Sequence, residues 1–462
     1  MLLMERLDDL LVEWLPRQRW FAGKDRRIDG ISVVSDTELV EGDPSLHHVI
    51  IAVHQGESTD RYQVPLGVRS ELPGRLKYAV IGQLGNGSCV YDAVHDPQLT
   101  RVWLENMAGN VDVGPLTFRS ITGIDPGLPS FASPAEQSNT SLIYGDAYIC
   151  KLFRRLTPGI NPDLEVSIGL ARAGSKHVPE LYGWFSSDLG GTLSTLAMMS
   201  EFLRSGTDGW QLAGTSVRDL YAEADLRADE VGGDFAAEAE RLGAATADVH
   251  RDLAAAFGTG EMTPAEIRAV ADRMHTRLCE TCEVVPQLTP YAGRLTDAFD
   301  ALAELDEPLL VQRVHGDYHL GQVMRTDSGW MLLDFEGEPA KSLEERRAPA
   351  HPLRDVAGML RSFDYAARHL LINGQTFRGD RDQLEYRAQE WADRNRSAFC
   401  RGYAEAGGID PAAHEVILRA FEFDKAVYEV MYEARNRPSW LPIPLGSIAA
   451  LSVRPESGYL AS

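Results

Sequence analysis

Cysteine is scarce in this chain, with five residues among 462. The five are odd in number and scattered, so they do not form the framework of a disulfide-stabilised secreted domain, and they indicate a reducing compartment. Cys279 and Cys282 form a lone C-x-x-C in a stretch of helical character, and no second pair completes a zinc site. We interpret them as ordinary helix residues rather than as a redox or metal site.

A long uninterrupted apolar segment is also missing. The first fifteen residues, MLLMERLDDLLVEWL, alternate apolar side chains with acidic ones. This pattern predicts an amphipathic helix and not a signal peptide. No other run approaches the length that spans a bilayer. The sequence therefore predicts a cytoplasmic protein without a membrane partner.

Basic residues are fewer than acidic ones: the chain has 45 Lys and Arg and 68 Asp and Glu, which gives a net charge of −23. Such a surface repels nucleic-acid phosphates, so no nucleic-acid partner is expected. What is present is typical of a globular protein: 44% of the residues are hydrophobic and 24% are charged. The length allows several structural units, each with a core.

The order of local patterns favours an α+β fold. Short β-type runs dominate the first part of the chain, including a predicted hairpin around Gly145 and Asp146, and helical periodicity dominates the rest. The pattern predicts three domains: an α+β unit at residues 1–90, a mixed segment at 91–205 and a helical segment at 206–462. The predicted helices include residues 3–15, 216–225, 234–257, 264–284, 382–406 and 411–437, the last with Asp410 as its N-cap.

Two short motifs carry the chemistry. His315-Gly-Asp317 is followed by Gln322, and a β-type run then leads to Asp334-Phe-Glu-Gly. The order and spacing match the H-R-D-x-x-x-x-N and D-F-G frame of kinases. We therefore expect Asp317 to accept the proton of the attacking hydroxyl. Gln322 and Asp334 offer the oxygen ligands that Mg²⁺ prefers.

Other interpretations of this segment are weaker. A metal site formed by His315, Asp317 and His319 is one alternative, but His-Gly-Asp is loop-like and differs from the helical H-E-x-x-H of zinc hydrolases. A plain turn between core elements would explain one motif by itself. It would not explain two motifs in the kinase order.

The nucleotide side is predicted upstream. Lys151 lies in an apolar β-type run, as expected of a lysine that reaches ATP phosphates, and Glu165 in the next helix is its predicted partner. The alternative is that both are solvated surface residues. No G-x-G-x-x-G precedes Lys151; a polar turn stands in its place, and an ordinary turn is an equally good interpretation of it. The other predicted ATP-binding residues are Ser138, Asn139, Thr140 and Glu201.

Taken together, these residues resemble the aminoglycoside-phosphotransferase-like kinases and, within them, the actinobacterial maltokinases. The resemblance covers nearly the whole chain. Beyond the two catalytic motifs, it rests on Trp14–Gly23 (WLPRQRWFAG), Glu136–Ser141 (EQSNTS), Val231–Phe235 (VGGDF), Leu353–Gly358 (LRDVAG), Asp424–Glu429 (DKAVYE), Arg435–Pro438 (RNRP) and Pro442–Leu445 (PIPL).

The resemblance implies a bilobal protein-kinase-like fold with an N-terminal cap. It also implies that ATP, with Mg²⁺, phosphorylates maltose at its reducing-end hydroxyl to give maltose 1-phosphate. That product would enter α-glucan synthesis from trehalose, and a trehalose-to-maltose converting enzyme is the implied partner. Tyr318 departs from the family pattern, so a changed acceptor pocket and a glucosamine kinase remain alternatives.

The acceptor site can be argued from the residues themselves. In the predicted helix 411–437, Lys425, Tyr428, Tyr432 and Arg435 recur at helical spacing and share one face. Aromatic faces stack on sugar rings, and charged tips bind hydroxyls. These four, with His315, are the predicted sugar-binding residues, although tyrosines at such spacing also occur in cores. Arg354 and Asp355 are expected to brace the catalytic loop.

Two competing functions can be weighed on the same residues. A nucleotide-binding pseudokinase would lack part of the catalytic set, whereas Lys151, Glu165, Asp317, Gln322 and Asp334 are all present. A protein kinase would carry a Gly-rich loop and an A-P-E-type segment, and the sequence has neither. A small-molecule sugar kinase is the function that the sequence favours.

Overall fold

The computed structural model describes residues 7–134, 138–338, 341–372 and 380–454. Backbone contacts divide the chain into two compact units, the first at residues 1–168 and 179–204 and the second at 169–178 and 205–462. The three domains at 1–90, 91–205 and 206–462 remain a prediction. Among the described residues, no helix has both the length and the apolarity needed to cross a membrane.

The first unit begins with helix α1 (Leu7–Trp14), which packs on an antiparallel sheet. The sheet order is β1-β2-β3-β5-β4, and β11 also pairs with β3. The strands are β1 (Gly30–Val40), β2 (Ser45–Gln55), β3 (Ser58–Arg69), β4 (Val80–Gln83), β5 (Cys89–Asp92) and β11 (Arg155–Leu156).

Strand β2 explains the apolar run Val49–Val53, because both of its faces are covered. Val49 and Ile51 pack with α1, whereas Ile50 packs into the core of the second sheet. The β-type run Tyr78–Leu84 predicts a strand, and the start of that strand is wrong: Tyr78 lies in a 3-10 helix (Gly74–Ala79) and is 73% exposed. The strand begins only at Val80, where the backbone is again extended.

A second sheet completes the first unit, in the order β6-β7-β12-β13-β10-β9-β8. The predicted hairpin is confirmed as β9 and β10, with Tyr144 opposite Tyr148. Helix α2 packs against β7, and α3 follows β11. The remaining elements of this unit are α2 (Pro97–Gly109), α3 (Pro162–Ala173), β6 (Asp112–Val113), β7 (Leu116–Ser120), β8 (Ser130–Ala132), β9 (Thr140–Tyr144), β10 (Tyr148–Leu152), β12 (Leu181–Asp188) and β13 (Leu193–Glu201).

Buried polar groups join the two sheets of the first unit. The Gln63 amide of β3 donates to the carbonyls of Phe153 and Leu196, at 2.8 and 2.6 Å. His48 of β2 lies 2.9 Å from the Gln63 carbonyl oxygen and is fully buried. The Arg154 guanidinium bonds Asp92 at 2.6 Å. Hydrogen bonds of this kind favour one arrangement of the two sheets, since breaking any of them would leave a further buried polar atom unpaired.

The second unit is mainly helical, with one three-stranded sheet, β14-β17-β18, and one two-stranded sheet, β15-β16. Its elements are α4 (Gly209–Ala222), α5 (Ala236–Phe257), α6 (Pro264–Val284), α7 (Ala292–Ala303), α8 (Leu343–Arg347), α9 (Leu353–Ile372), α10 (Arg381–Glu405), α11 (Glu415–Asn436), α12 (Pro442–Ser452), β14 (Thr207–Asp208), β15 (Thr259–Met262), β16 (Leu309–Gln312), β17 (Val323–Thr326) and β18 (Gly329–Leu332).

Most helices of the second unit follow the predicted bounds, and α6 carries Cys279 and Cys282 as unbonded thiols. The predicted cap of the last long helix is wrong. The Asp410 carboxylate accepts from Ala412 N at 2.9 Å and stabilises a turn, and α11 begins only at Glu415. Likewise α4 begins seven residues earlier than predicted, at Gly209, because Asp208 caps it by accepting from Gln211 N.

Helices α5 and α10 approach each other closely through two glycines. A Cβ atom at Gly243 would overlap the carbonyl oxygen of Phe399, and one at Gly402 would overlap that of Glu240. Both obstacles are backbone atoms, which cannot rotate away. This close contact positions α5, whose Thr246 and His250 side chains support the catalytic loop.

We expect Gly402→Ala to lower the free energy of unfolding by roughly 2–3 kcal/mol, because the added methyl separates α5 from α10. Gly446→Ala on α12 is the matched control, since nothing lies within 4 Å of its Cβ position. The control should raise stability by about 0.5–1 kcal/mol through helix propensity. Urea denaturation measures both values, and equal effects of the two changes would contradict the close packing.

The buried His48 should make the first unit sensitive to acid. Burial lowers the pKa of His48 to about 4, so below pH 6.5 the unfolded chain takes up a proton that the folded chain refuses. Stability is therefore lost as the pH falls, by about 1.5 kcal/mol between pH 6.5 and pH 5 for this one group. His48→Gln should remove that loss from urea midpoints measured at the two pH values. His54→Gln, on the same strand, controls for deletion of a histidine.

Candidate active site

The loop that carries Asp317 follows β16. Its backbone N–H groups are bound by Asp355, which lies in the first turn of α9. The Asp355 carboxylate accepts from His315 N at 2.7 Å and from Gly316 N at 2.9 Å, and His250 Nε2 lies 3.0 Å away. Burial alone would raise the pKa of Asp355, but the bond from His250 and these loop contacts lower it. The carboxylate therefore stays ionised and braces the loop, as expected from the sequence.

His315 does not take its predicted place as a sugar ligand. Its ring is buried, with Nε2 donating to the carbonyl of Leu333 at 2.8 Å and Nδ1 accepting from Asp317 N at 3.4 Å. Both ring nitrogens are thereby used within the protein. The ring joins the catalytic loop to the segment that leads into Asp334, because the two backbones need a polar bridge where water is excluded.

Tyr318 also points away from the acceptor side. It is 2% exposed, and its hydroxyl lies 2.7 Å from Thr246 Oγ1 on α5. Burial raises the pKa of this phenol. Tyr318 is therefore not among the residues that line the cavity beside Asp317, and its side chain belongs to the core beneath the loop.

Asp317 itself lines a cavity of the second unit that is about 670 Å³ in volume. Its Oδ1 lies 3.4 Å from Lys425 Nζ on α11, and its side chain is one-quarter exposed. The carboxylate thus faces an open space large enough for a small molecule. His319, two residues later, lines the same cavity.

Gln322 and Asp334 meet as predicted for a metal-binding pair. The Gln322 amide donates to Asp334 Oδ2 at 3.1 Å. Asp334 has φ of +63°, a left-handed conformation that is unusual for a residue other than glycine and clusters at functional sites. Carboxylate oxygens of Asp334 and Glu336 lie within 4.8 Å of each other. This all-oxygen donor set fits the preference of Mg²⁺.

The cavity has aromatic walls and charged edges. The predicted Tyr428 and Tyr432 stack on each other along α11, with ring centroids 6.3 Å apart. The other aromatic lining residues are Trp210, Tyr365 and Trp440, and the charged ones besides Asp317 are Lys425, Glu429, Glu433 and Arg437. Flat apolar faces beside fixed polar tips are suited to a sugar, which has both kinds of surface.

Arg435, the fourth residue predicted on this face, is exposed and is not among the lining residues. Arg437 lines the cavity instead and lies over the Trp440 ring at 4.5 Å. Arg437 follows the end of α11 at Asn436, so a spacing counted along the helix could not indicate it.

Buried ion pairs fix the acidic side of the cavity. Glu429 Oε2 accepts two bonds from the fully buried Arg361, at 2.8 and 2.9 Å. Glu433 accepts from the Tyr365 hydroxyl and from both arms of Arg437. Burial raises the pKa of Glu429, although Arg361 and Lys425 oppose the shift. Charges held this firmly keep their positions when a ligand binds.

The predicted nucleotide residues lie in the first unit. Lys151 Nζ pairs with Asp163 Oδ2 at 3.3 Å, a partner that was not predicted from the sequence, and the predicted pairing of Lys151 with Glu165 stays a prediction. Both acids lie in the first turn of α3. Lys151 is on β10 opposite Met198, and Glu201 ends β13 opposite Tyr148. The assignment of Lys151, Glu165 and Glu201 to ATP stays a prediction.

The polar turn before β9 lies partly outside the described residues, which begin again at Ser138 after Pro134. Ser138 is exposed. The Thr140 hydroxyl accepts from Arg154 Nε at 2.8 Å. Phosphate contacts by Ser138, Asn139 and Thr140 therefore remain predictions, with the Thr140 hydroxyl already engaged.

Several site residues were missed by reasoning from the sequence. Trp210 and Tyr365 come from α4 and α9, far from the motifs, and only the packed fold brings them to the cavity. Glu336 and Glu338 stand inside the D-F-E-G-E segment, so their proximity to Asp334 was a usable signal. Asp163 had a similar signal, since it lies two residues before Glu165.

Comparison with known proteins gives two family matches, two similar proteins and one similar solved structure. Residues 14–96 match the maltokinase N-terminal cap domain, and residues 134–392 match the phosphotransferase enzyme family. A glucosamine kinase of Streptacidiphilus jiangxiensis is 29% identical over 337 residues, which cover 70% of this chain and 74% of that protein. A glucosamine kinase of Mycolicibacterium smegmatis is 27% identical, over 68% and 78% of the two chains.

A solved structure of glucosamine kinase in complex with glucosamine, ADP and inorganic phosphate has the same fold. Its TM-score is 0.69 at 24% identity, covering 96% of this chain and 98% of that one. The predicted α+β kinase fold with an N-terminal cap is thereby confirmed. Because the family model spans more than half of the residues, the chain belongs to the phosphotransferase enzyme family, with a maltokinase-type N-terminal cap.

Proposed function

We propose that this protein is an ATP-dependent sugar kinase. The observation that carries the proposal is Asp317 at the edge of a cavity of about 670 Å³ with aromatic walls and fixed charged tips. The family match supports phosphoryl transfer, and the relatives described as glucosamine kinases support a sugar as the acceptor.

In the proposed step, Asp317 takes the proton of the acceptor hydroxyl as that oxygen forms a bond to the γ-phosphorus of ATP. The bond from this phosphorus to the β-bridging oxygen breaks, and ADP leaves. The products are a sugar phosphate, ADP and one proton. The role of the loop is positioning, because little covalent chemistry falls to the protein in phosphoryl transfer.

The donor set of Gln322, Asp334 and Glu336 would hold Mg²⁺. When bound, the ion neutralises phosphate charge and helps to orient the transferring group. Lys151 would add positive charge at the ATP phosphates, with Asp163 fixing its direction. Glu165, Glu201 and the residues Ser138, Asn139 and Thr140 are proposed as further contacts to the nucleotide.

Glucosamine is the acceptor that we place first. Glu429 Oε2 is held by Arg361, while its Oε1 has no hydrogen-bond partner among the residues that the structure describes and belongs to a side chain of the cavity wall. An ammonium group is a natural partner for such a carboxylate. Both curated relatives described above are named glucosamine kinases.

Maltose is the second candidate. The cap at residues 14–96 matches the maltokinase model, and the aromatic wall extends from Tyr428 to Trp440, which would suit a second sugar ring. Use of the product in α-glucan synthesis, and association with a trehalose-to-maltose converting enzyme, belong to this candidate alone.

An activity screen with ATP and Mg²⁺ against glucosamine, glucose, maltose, trehalose and aminoglycosides separates these candidates. We expect turnover on glucosamine to exceed that on glucose, because the two differ only in the amino group. A preference for maltose would replace the first candidate by the second. No turnover on any sugar would favour a nucleotide-binding pseudokinase.

We expect Asp317→Asn to reduce turnover by about 10²–10⁴-fold, because the amide cannot accept the hydroxyl proton. ATP affinity, measured by calorimetry, should stay within about threefold, since the contacts of the nucleotide are elsewhere. An equal loss of ATP affinity would contradict the role of Asp317 as base. Asp297→Asn, an exposed carboxylate on α7, is the matched control.

We expect Asp334→Ala to abolish the Mg²⁺ dependence of nucleotide binding, because the proposed metal site loses a carboxylate. Titration of ATP with and without EDTA measures this dependence in the wild type and the variant. Asp327→Ala, in the exposed turn between β17 and β18, should behave as the wild type. Unchanged Mg²⁺ dependence in Asp334→Ala would remove this residue from the metal site.

A further inference from the structure

Lys425 lies where three parts of the second unit meet. From α11 its Nζ reaches 3.4 Å from Asp317 Oδ1 and 3.8 Å from Glu338 Oε1. The ammonium also lies 5.0 Å from the centre of the Tyr428 ring. Its side chain lines the acceptor cavity on one side and a small cavity of about 40 Å³ behind the catalytic loop on the other.

We propose that Lys425 is a positioning residue for Asp317 rather than a sugar ligand, and that Glu338 acts on Asp317 through Lys425. The ion chain Glu338–Lys425–Asp317 would set the direction of the catalytic carboxylate. The inference rests on the proposed kinase function and deepens it, because it assigns a role to two residues that touch neither the transferred phosphoryl group nor the sugar.

Glu338 is a firm anchor for this chain. Its carboxylate lies 2.8 Å from Lys341 Nζ and 3.2 Å from Arg354 on α9, and its side chain is 11% exposed. With Lys425, three cations therefore contact this carboxylate, which leaves it little freedom to move.

Lys425 itself stays cationic. Burial would lower its pKa, but the charges of Asp317, Glu338 and Glu429 raise it overall. The Lys425 ammonium group forms ion pairs with two carboxylates from different chain segments. It keeps both ion pairs only while the two carboxylates stay in position. The cation thus transmits the fixed position of Glu338 to Asp317.

The geometry leaves the other oxygen of Asp317 available. Lys425 engages Oδ1, and Oδ2 has no hydrogen-bond partner within the described parts of the chain. A general base needs one oxygen directed at the hydroxyl that it deprotonates. By fixing Oδ1, Lys425 directs Oδ2 without blocking it.

The charged and titratable groups around Asp317 come from three segments. His315 and His319 belong to its own loop, Lys425 and Tyr428 to α11, and Asp334 and Glu338 to the segment after β18. Burial lowers the pKa of His319, so that ring is neutral at pH 7. Lys425 is the cation that the described residues place in contact with Asp317, and its loss removes that positive charge.

The test measures kcat, the KM for the sugar and the pH profile of kcat/KM in Lys425→Met. We expect kcat to fall by about 10²-fold because the base loses its direction. The KM for the sugar should change by less than about threefold. The acid limb of the profile should move to higher pH, since the remaining neighbours disfavour the ionised carboxylate. Lys425→Arg should restore most of kcat by keeping the charge.

A double-mutant cycle tests the role of Glu338. Glu338→Gln alone should lower kcat by about tenfold, and Lys425→Met with Glu338→Gln should be no slower than Lys425→Met alone, because the two residues act as one chain. Additive losses would contradict the ion chain. Arg294→Met, on an exposed position of α7, controls for removing one positive charge.

The outcomes separate this inference from the proposed function. A wild type that phosphorylates no sugar contradicts the proposed function and removes the inference with it. An active wild type, with a Lys425→Met variant whose sugar KM rises while kcat and the acid limb stay unchanged, contradicts the inference alone and makes Lys425 a sugar ligand.

Discussion

The catalytic loop depends on one buried carboxylate, that of Asp355. Two backbone N–H groups and His250 converge on it, and an ion without such partners could not remain charged in the interior. Because the loop amides are bound from below, Gly316 takes φ of +86° and Asp317 is left at the edge of the cavity. His315 and Tyr318, on either side, are directed into the protein. The position of Asp317 thus depends on the Asp355 carboxylate, which binds the loop but takes no part in the proposed reaction.

Much of the catalytic frame was accessible from the sequence because its spacing is local. Asp317, Gln322 and Asp334 are separated by one short turn and two paired strands, so covalent distance nearly determines their proximity. The β9–β10 hairpin and α6 were predictable for the same reason: turn residues, periodicity and a proline at the first helical position act within a few residues.

The directions of individual side chains were not accessible in this way. The contact of Lys151 with Asp163 depends on how the first turn of α3 faces β10, which the sequence does not show. Arg437 lines the cavity from beyond the end of α11 at Asn436, so helical spacing could not indicate it. His315 was predicted to bind the sugar, but its ring is buried and both ring nitrogens form hydrogen bonds with backbone atoms. In each case tertiary packing decided what local spacing left open.

Charge balance links the catalytic loop to the acceptor cavity. Glu429 and Glu433 face the cavity, yet each is tied to an arginine, Arg361 and Arg437. Such ion pairs contribute little net stability when buried, since the cost of desolvation offsets the attraction between the charges. They nevertheless resist movement, because breaking one would leave a buried charge without a partner. The same holds for Lys425 between Asp317 and Glu338.

An acceptor that carries a positive charge would therefore meet carboxylates that are already oriented, and binding would not require their reorganisation. A neutral sugar would gain less from the same carboxylates, and on these electrostatic grounds we propose an amino sugar as the acceptor before a neutral one.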